Sequence, residues 1–151
     1  MEIKSFFEKQ REKNTKLNID SNLSEYKIWA RKHLELHTKI SHLADETKCY
    51  KYWIGEDEEL NKSVLFEKYL DCFSNIITIG IDRKYDSVEE IPIKPNDYCL
   101  SDQFLNLFID LNDLIISPSE DHYITLIEDF LSLGITLGYS ETQIKESFLT
   151  I

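Results

Sequence analysis

Apolar residues recur along this chain every three or four positions far more often than every two, and polar turns divide that rhythm into about six stretches. Ile3, Phe6 and Phe7, set among charges, predict a short helix over residues 2–16. A polar turn from Asn18 to Asn22 follows. Ser21 or Ser24 can then cap a long second helix running toward Trp53, with Leu34, Ile40, Leu43 and Ala44 among its expected core contacts. Gly55 and the acidic cluster Glu56-Asp57-Glu58-Glu59 read as a solvated break. A third helix is expected from about Leu60 to Ile81, carried by Leu65, Tyr69, Phe73, Ile76 and Ile77.

The end of that third stretch is ambiguous by composition. Ile76-Ile77-Thr78-Ile79-Gly80-Ile81 is β-branched and bounded by Asn75 and Asp82, which is strand-like. Its continuity with the periodic residues before it selects helix. Between Asp82 and Tyr98 the pattern fails, and Pro92 and Pro95 mark a long surface loop. A helix resumes from Ser101 to about Ile116, with Phe104, Leu105, Phe108, Leu111 and Ile115 apolar. Ser117-Pro118-Ser119-Glu120 reads as a capping box, with Ser117 at N-cap, Pro118 at N1 and Glu120 at N3, opening a helix that ends near Gly138. Ser140-Glu141-Thr142-Gln143 is a second such box before a last helix. The expectation is an all-α fold: one domain over residues 1–151, a bundle of about six helices, with a loop at about 82–98.

Composition narrows the class without naming a function. A chain of 151 residues, 42% hydrophobic and 30% charged, can bury a core and is not disordered. Four Gly and three Pro favour long helices over many short strands. The net charge of -11 repels phosphate backbones, so no nucleic-acid partner is expected, although carboxylates in a site could still hold cations. Cys49, Cys72 and Cys99 have no metal-like spacing, and reduced thiols in a cytoplasmic protein are the simple reading. No run of about eighteen apolar residues exists, so no membrane is expected. The start, Met1-Glu2-Ile3-Lys4-Ser5, lacks a secretory apolar stretch.

Three segments carry a resemblance. Phe6 to Asn14 is similar to the first helix of the dimeric all-α dUTPases, relatives of the MazG-like nucleoside triphosphate pyrophosphohydrolases. Lys48-Cys49-Tyr50-Lys51-Tyr52-Trp53 resembles the basic-Cys-aromatic-Lys-aromatic-Trp segment that closes that family's second helix. Leu133-Gly134-Ile135-Thr136-Leu137-Gly138-Tyr139-Ser140 resembles its glycine-punctuated final turn. The resemblance implies that Gln10 and Asn14, one turn apart on one helix face, contact a uracil ring; each carboxamide offers a donor and an acceptor. Without it they are a common surface pair. It also implies that Lys51 meets a phosphate and Trp53 packs at the pocket edge. The plain alternative is a core Trp with snorkelling lysines around it.

The family's catalytic core is a Glu-x-x-Glu on one helix and a Glu-x-x-Asp on the next, whose carboxylates hold Mg²⁺ ions that bind the triphosphate and activate water. Aligned through Leu43-Ala44 and Tyr69-Leu70-Asp71, the first pair here is Lys39 and His42, and the second is Lys68 and Asp71. Three of the four expected ligands are replaced. An ammonium about 4 Å from a divalent ion is repelled by roughly 8 kcal/mol at an effective dielectric near 20, less if the lysine swings aside. A reduced site is the alternative: His42 and Glu46 share one helix face, Glu67 and Asp71 another, and together they could hold a single Mn²⁺- or Zn²⁺-like ion. Otherwise His42 is an ordinary helix histidine and Glu46 pairs with a lysine. His33, His37 and His122 have no ligand-like companions and are expected at the surface.

The family's Lys-Asn-rich, Arg-containing tail, which clamps phosphates, is also expected to be missing, since the sequence stops at Ile151. No P-loop, Gly-x-Ser-x-Gly, His-Glu-x-x-His or dinucleotide fingerprint is present. The first expectation is therefore a dUTPase-like protein without metal-dependent hydrolysis, acting on a uracil nucleotide or a protein partner as a binding module, with Glu46 and Glu67 vestigial. The alternative is an active pyrophosphohydrolase converting dUTP to dUMP and pyrophosphate through a rebuilt site, with Asp71 and His42 as metal ligands, Glu46 and Glu67 as ligands or water-activating bases, and Lys51 as a phosphate contact. A homodimer or a protein partner is expected in either case, with an apolar patch on residues 104–115 or 123–135.

Overall fold

The computed structural model describes residues 1–56 and 59–151, and among them the chain forms six α-helices and no extended strand. They are α1 (Lys4–Asn14), α2 (Glu25–Thr47), α3 (Lys62–Asp82), α4 (Leu100–Ile116), α5 (Glu120–Thr136) and α6 (Glu141–Thr150). Of the acidic break at residues 56–59, Asp57 and Glu58 lie outside the described residues.

Helix α2 shows how the rhythm becomes a core. Its buried positions are His33, Leu36, Ile40, Leu43 and Thr47, a stripe at i, i+3, i+7, i+10 and i+14. Leu34 falls off that stripe and is 65% exposed, against expectation; His33 falls on it and is buried, also against expectation. Ser24 caps the helix by accepting the amide of Lys27 at 3.2 Å. Helix α3 is buried along Leu65, Tyr69, Cys72, Phe73, Ile76, Ile77, Ile79 and Gly80. The strand-like run at its end is helical because it continues this packed face.

The two main layers are α2 on α3 and α4 on α5, with α1 laid across α3 and α6. Aromatic rings fill the centre: Tyr69 stacks on Phe130 at 4.5 Å, and Phe6 meets Phe73 at 5.3 Å and Phe148 at 4.9 Å. Tyr69 Oη donates to the carbonyl of Phe130 at 3.0 Å, and Tyr123 Oη to that of Ile76 at 2.8 Å. These phenols lie against glycines. A Cβ on Gly134 would overlap the Tyr69 hydroxyl, and one on Gly80 would overlap that of Tyr123.

Two connections differ from expectation. The cap of α5 is Ser119, which accepts the amide of His122 at 3.1 Å, rather than Ser117. Ser117 instead closes α4, and its carbonyl accepts from His122 Nδ1 at 2.7 Å. The segment 83–99 is also more than a surface loop. Ile3 donates its amide to the Glu89 carbonyl at 2.8 Å and Ile91 donates to that of Met1 at 2.9 Å, which carries Ile91 into the core. The end of α5 is as expected: the helix stops at Thr136 and Gly138 follows with φ +92°, a left-handed position beyond the C-cap that suits glycine. Ser140 then caps α6 as expected, accepting from Gln143 at 3.0 Å.

Glu2 takes the place of a side-chain cap on α1, accepting from both the amide and the hydroxyl of Ser5 at 2.7 Å and from Lys145 of α6 at 3.0 Å. Burial works to raise its pKa, yet the Ser5 bonds and the Lys145 charge hold it at about 2.

Candidate functional site

Between α1, α2 and α3 the helices leave a cavity of 280 Å³ lined by Gln10, Lys13, Asn14, Lys32, Glu35, Lys39, Asp71 and Asn75, among others. The cavity brings together three groups from distant parts of the sequence. Gln10 and Asn14 come from α1, Glu35 and Lys39 from α2, and Asp71, Asn75 and Thr78 from α3. On α3 the last three are at i, i+4 and i+7, a polar seam in an otherwise apolar helix.

A chain of amides fixes the α1 side. Asn14 Nδ2 donates to Thr78 Oγ1 at 3.3 Å, and Gln10 Nε2 donates to Asn14 Oδ1 at 2.9 Å. That leaves Gln10 Oε1 buried without a partner, on a residue only 6% exposed. On the opposite wall, Lys39 Nζ donates to Asp71 Oδ1 at 3.1 Å and to Asn75 Oδ1 at 3.2 Å, with Glu35 Oε2 at 3.5 Å. Lysine can only donate, so this bond fixes which way the Asn75 amide points and leaves Asn75 Nδ2 buried and unpartnered. Both atoms belong to residues that line the cavity, yet neither has accessible surface there. An orphaned buried polar atom costs on the order of 1–3 kcal/mol.

The second helix pair is bridged in the same way. Lys68 Nζ on α3 lies 3.2 Å from Glu46 Oε1 on α2. His42 and Glu67 are exposed on their helices. Among the described residues no three His, Cys, Asp or Glu side chains stand close enough to hold one metal ion.

Lys51 and Trp53 lie elsewhere, lining a second cavity of 300 Å³ with Thr47, Lys48, Gly55, Glu56 and Leu60. Trp53 is half exposed and meets the ring of Tyr52 edge-on at 5.1 Å, so it is not a core tryptophan. Asp45 has a lowered pKa, from the hydrogen bonds of Tyr50 and then Lys48. His33 Nδ1 bonds the Trp29 carbonyl at 2.8 Å, and burial lowers its pKa; His37 stacks on Phe108.

Sequence reasoning missed Asn75, Thr78, Lys32 and Glu35. The polar seam on α3 was the available signal, because hydroxyl and amide groups at helical spacing from Asp71 must share its face.

The described residues thus form one six-helix bundle with a polar cavity bounded by α1, α2 and α3. The family model for dUTPase matches residues 2–150, nearly the whole chain, and the chain belongs to the all-α dUTPase family. No curated protein and no solved structure matches it. No helix among the described residues is long and apolar enough to cross a membrane.

Proposed function

We propose that this chain is a non-catalytic member of the dUTPase family that binds a uracil nucleotide in the cavity between α1, α2 and α3. The observation that carries the reading is the placement of two ammonium groups. Lys39 stands on Asp71, and Lys68 stands on Glu46, at positions where the family resemblance implies carboxylates. Mg²⁺ requires oxygen donors at near-octahedral geometry and about 2.0–2.1 Å. Two lysines, an exposed His42 and an already paired Asp71 do not fit that ion, and no hydrolytic step is derived through it. The base-reading side is different in kind. Gln10 and Asn14 line the cavity, held by Thr78.

Calorimetric titration with dUMP and with a non-hydrolysable dUTP analogue tests this. Saturable binding that Gln10→Leu abolishes is expected. Absence of binding by the folded protein to either compound would remove the reading.

A protein-partner role is favoured by a separate observation. Leu105, Ile109 and Ile116 are exposed at i, i+4 and i+11 on α4, within and just beyond the stretch expected to carry an apolar patch. Sedimentation analysis of the wild type and of Leu105→Lys/Ile109→Lys tests it. Self-association lost in the double variant supports a homodimer through this face, whereas an unchanged sedimentation coefficient contradicts it.

A further inference from the structure

We propose that the cleft between the start of α2 and the end of α3 is a phosphate-binding site, in which Arg83 and Lys84 hold the dianion of free phosphate or of a phosphomonoester. The proposal stands apart from the nucleotide reading above, because neither residue belongs to the cavity beside α1. Three observations support it.

First, the space is open and its cations are reachable. A cavity of 480 Å³ is lined by Glu25 and Trp29 of α2 and by Asp82, Arg83 and Lys84 at the end of α3, among others. Arg83 and Lys84 are both exposed.

Second, both cations are unspent. In this chain of net charge -11, Arg11, Lys39, Lys48, Lys68 and Lys145 each stand on a carboxylate. Among the described residues Arg83 and Lys84 stand on none, although Glu25 and Asp82 line the same cavity. Asp82 is taken by Lys32, which leaves Arg83 and Lys84 against Glu25 alone, a positive surplus. The end of α3 disfavours an anion and the start of α2 favours one, so the two helix dipoles largely offset.

Third, Arg83 is held ready. Its guanidinium lies over the Trp29 ring, 4.4 Å from the centroid. A ring contact occupies the guanidinium face and leaves its five in-plane N–H donors for an oxyanion. Trp29 is fixed in turn: its ring meets that of His33 at 4.3 Å, and its carbonyl accepts from His33 Nδ1 at 2.8 Å. Lys84 follows at φ +61°, the left-handed position after the C-cap where glycine is the usual residue. A lysine there carries strain that glycine would not, and its ammonium is what the position gains. A phosphate dianion suits this pair better than a carboxylate, because it offers Arg83 two oxygens and leaves a third for Lys84. Lys32 lines both this cavity and the one beside α1, so the phosphate can come from solution or from a nucleotide seated next door.

The test starts from the Trp53→Phe chain, whose sole tryptophan is Trp29. Its emission is followed during titration with sodium phosphate and, at equal ionic strength, sodium chloride. A saturable change in phosphate and none in chloride is expected. Calorimetry with phosphate and with dUMP then compares the wild type with Arg83→Gln and Lys84→Gly, each shown by circular dichroism to be folded. Arg83→Gln should weaken phosphate binding at least about tenfold, the loss of a charge-assisted contact. Lys84→Gly should also weaken it while melting no lower than wild type, a split that a merely structural lysine would not give. Binding of phosphate as tight as that of dUMP supports the site with free phosphate as its ligand. Tighter binding of dUMP that Arg83→Gln weakens supports it with a nucleotide's phosphate as the source. A wild type that answers phosphate no more than chloride, and whose dUMP binding Arg83→Gln leaves unchanged, would overturn this inference and leave the nucleotide reading standing. Phosphate binding that survives intact in both folded variants would overturn it as well.

Discussion

Lys39 Nζ lies 3.1 Å from Asp71 Oδ1, and this pair ties α2 to α3 along the wall of the cavity. More than half of the Asp71 side chain is exposed, so water screens the attraction. Its stability contribution should be small, within about 1 kcal/mol. Urea denaturation of Lys39→Met is therefore expected to give a midpoint close to wild type. A loss of several kcal/mol would show that the lysine serves the fold more than the site.

Gln10 should separate stability from binding in the opposite way. Its carbonyl oxygen is buried without a partner, so replacing the side chain by leucine removes a penalty as well as one hydrogen bond to Asn14. Gln10→Leu is expected to be as stable as wild type or up to about 1 kcal/mol more stable. A clearly lowered melting temperature would mean that the open acceptor is satisfied by ordered water and carries no functional meaning.

The glycines beside buried phenols give a packing prediction. Gly134→Ala drives a methyl into the Tyr69 hydroxyl, which is wholly buried and bonded to Phe130. The expected loss is about 2–4 kcal/mol, from overpacking and a strained hydrogen bond. Tyr69→Phe/Gly134→Ala should recover part of it, because the deleted oxygen is the atom the new methyl meets. Additive losses in the double-mutant cycle would refute that contact.

Asp110 on α4 gives a pH prediction. Burial, then the neighbouring Asp129 carboxyl with its hydrogen bond and charge, pushes its pKa up to about 8. A carboxyl whose folded pKa is raised above its unfolded value stabilises fully below that unfolded value, near 4 for Asp, and loses this as pH rises through about 8. Wild-type melting temperature should thus fall between about pH 5 and about pH 8 more steeply than that of Asp110→Asn, which mimics the protonated form. Parallel profiles would show that Asp110 is ionised throughout.

The fold was legible because helical periodicity is a local property. The stripes on α2 and α3, the serine caps of α2 and α6 and the glycine after α5 follow from residues within a turn or two of one another. What escaped depends on distant partners. His33 is polar by type yet sits on the buried stripe; Ile91 is buried because the first residues pair with the segment around it. Ser119 displaced Ser117 as a cap because α4 had first claim on Ser117. The family was legible in the run from Ile40 to Trp53, and the family match over residues 2–150 bears it out. Residues Gln10, Asn14 and Asp71 were named from the sequence, but only the crossing of α1 over α3 places them around one cavity with Asn75 and Thr78.

The most direct test of the account is a pyrophosphate-release assay with dUTP, high protein concentration and either Mg²⁺ or Mn²⁺. Lysines on Asp71 and Glu46 predict release no faster than in protein-free buffer. Metal-dependent release that disappears in Asp71→Ala would contradict the non-catalytic reading and establish a rebuilt catalytic centre.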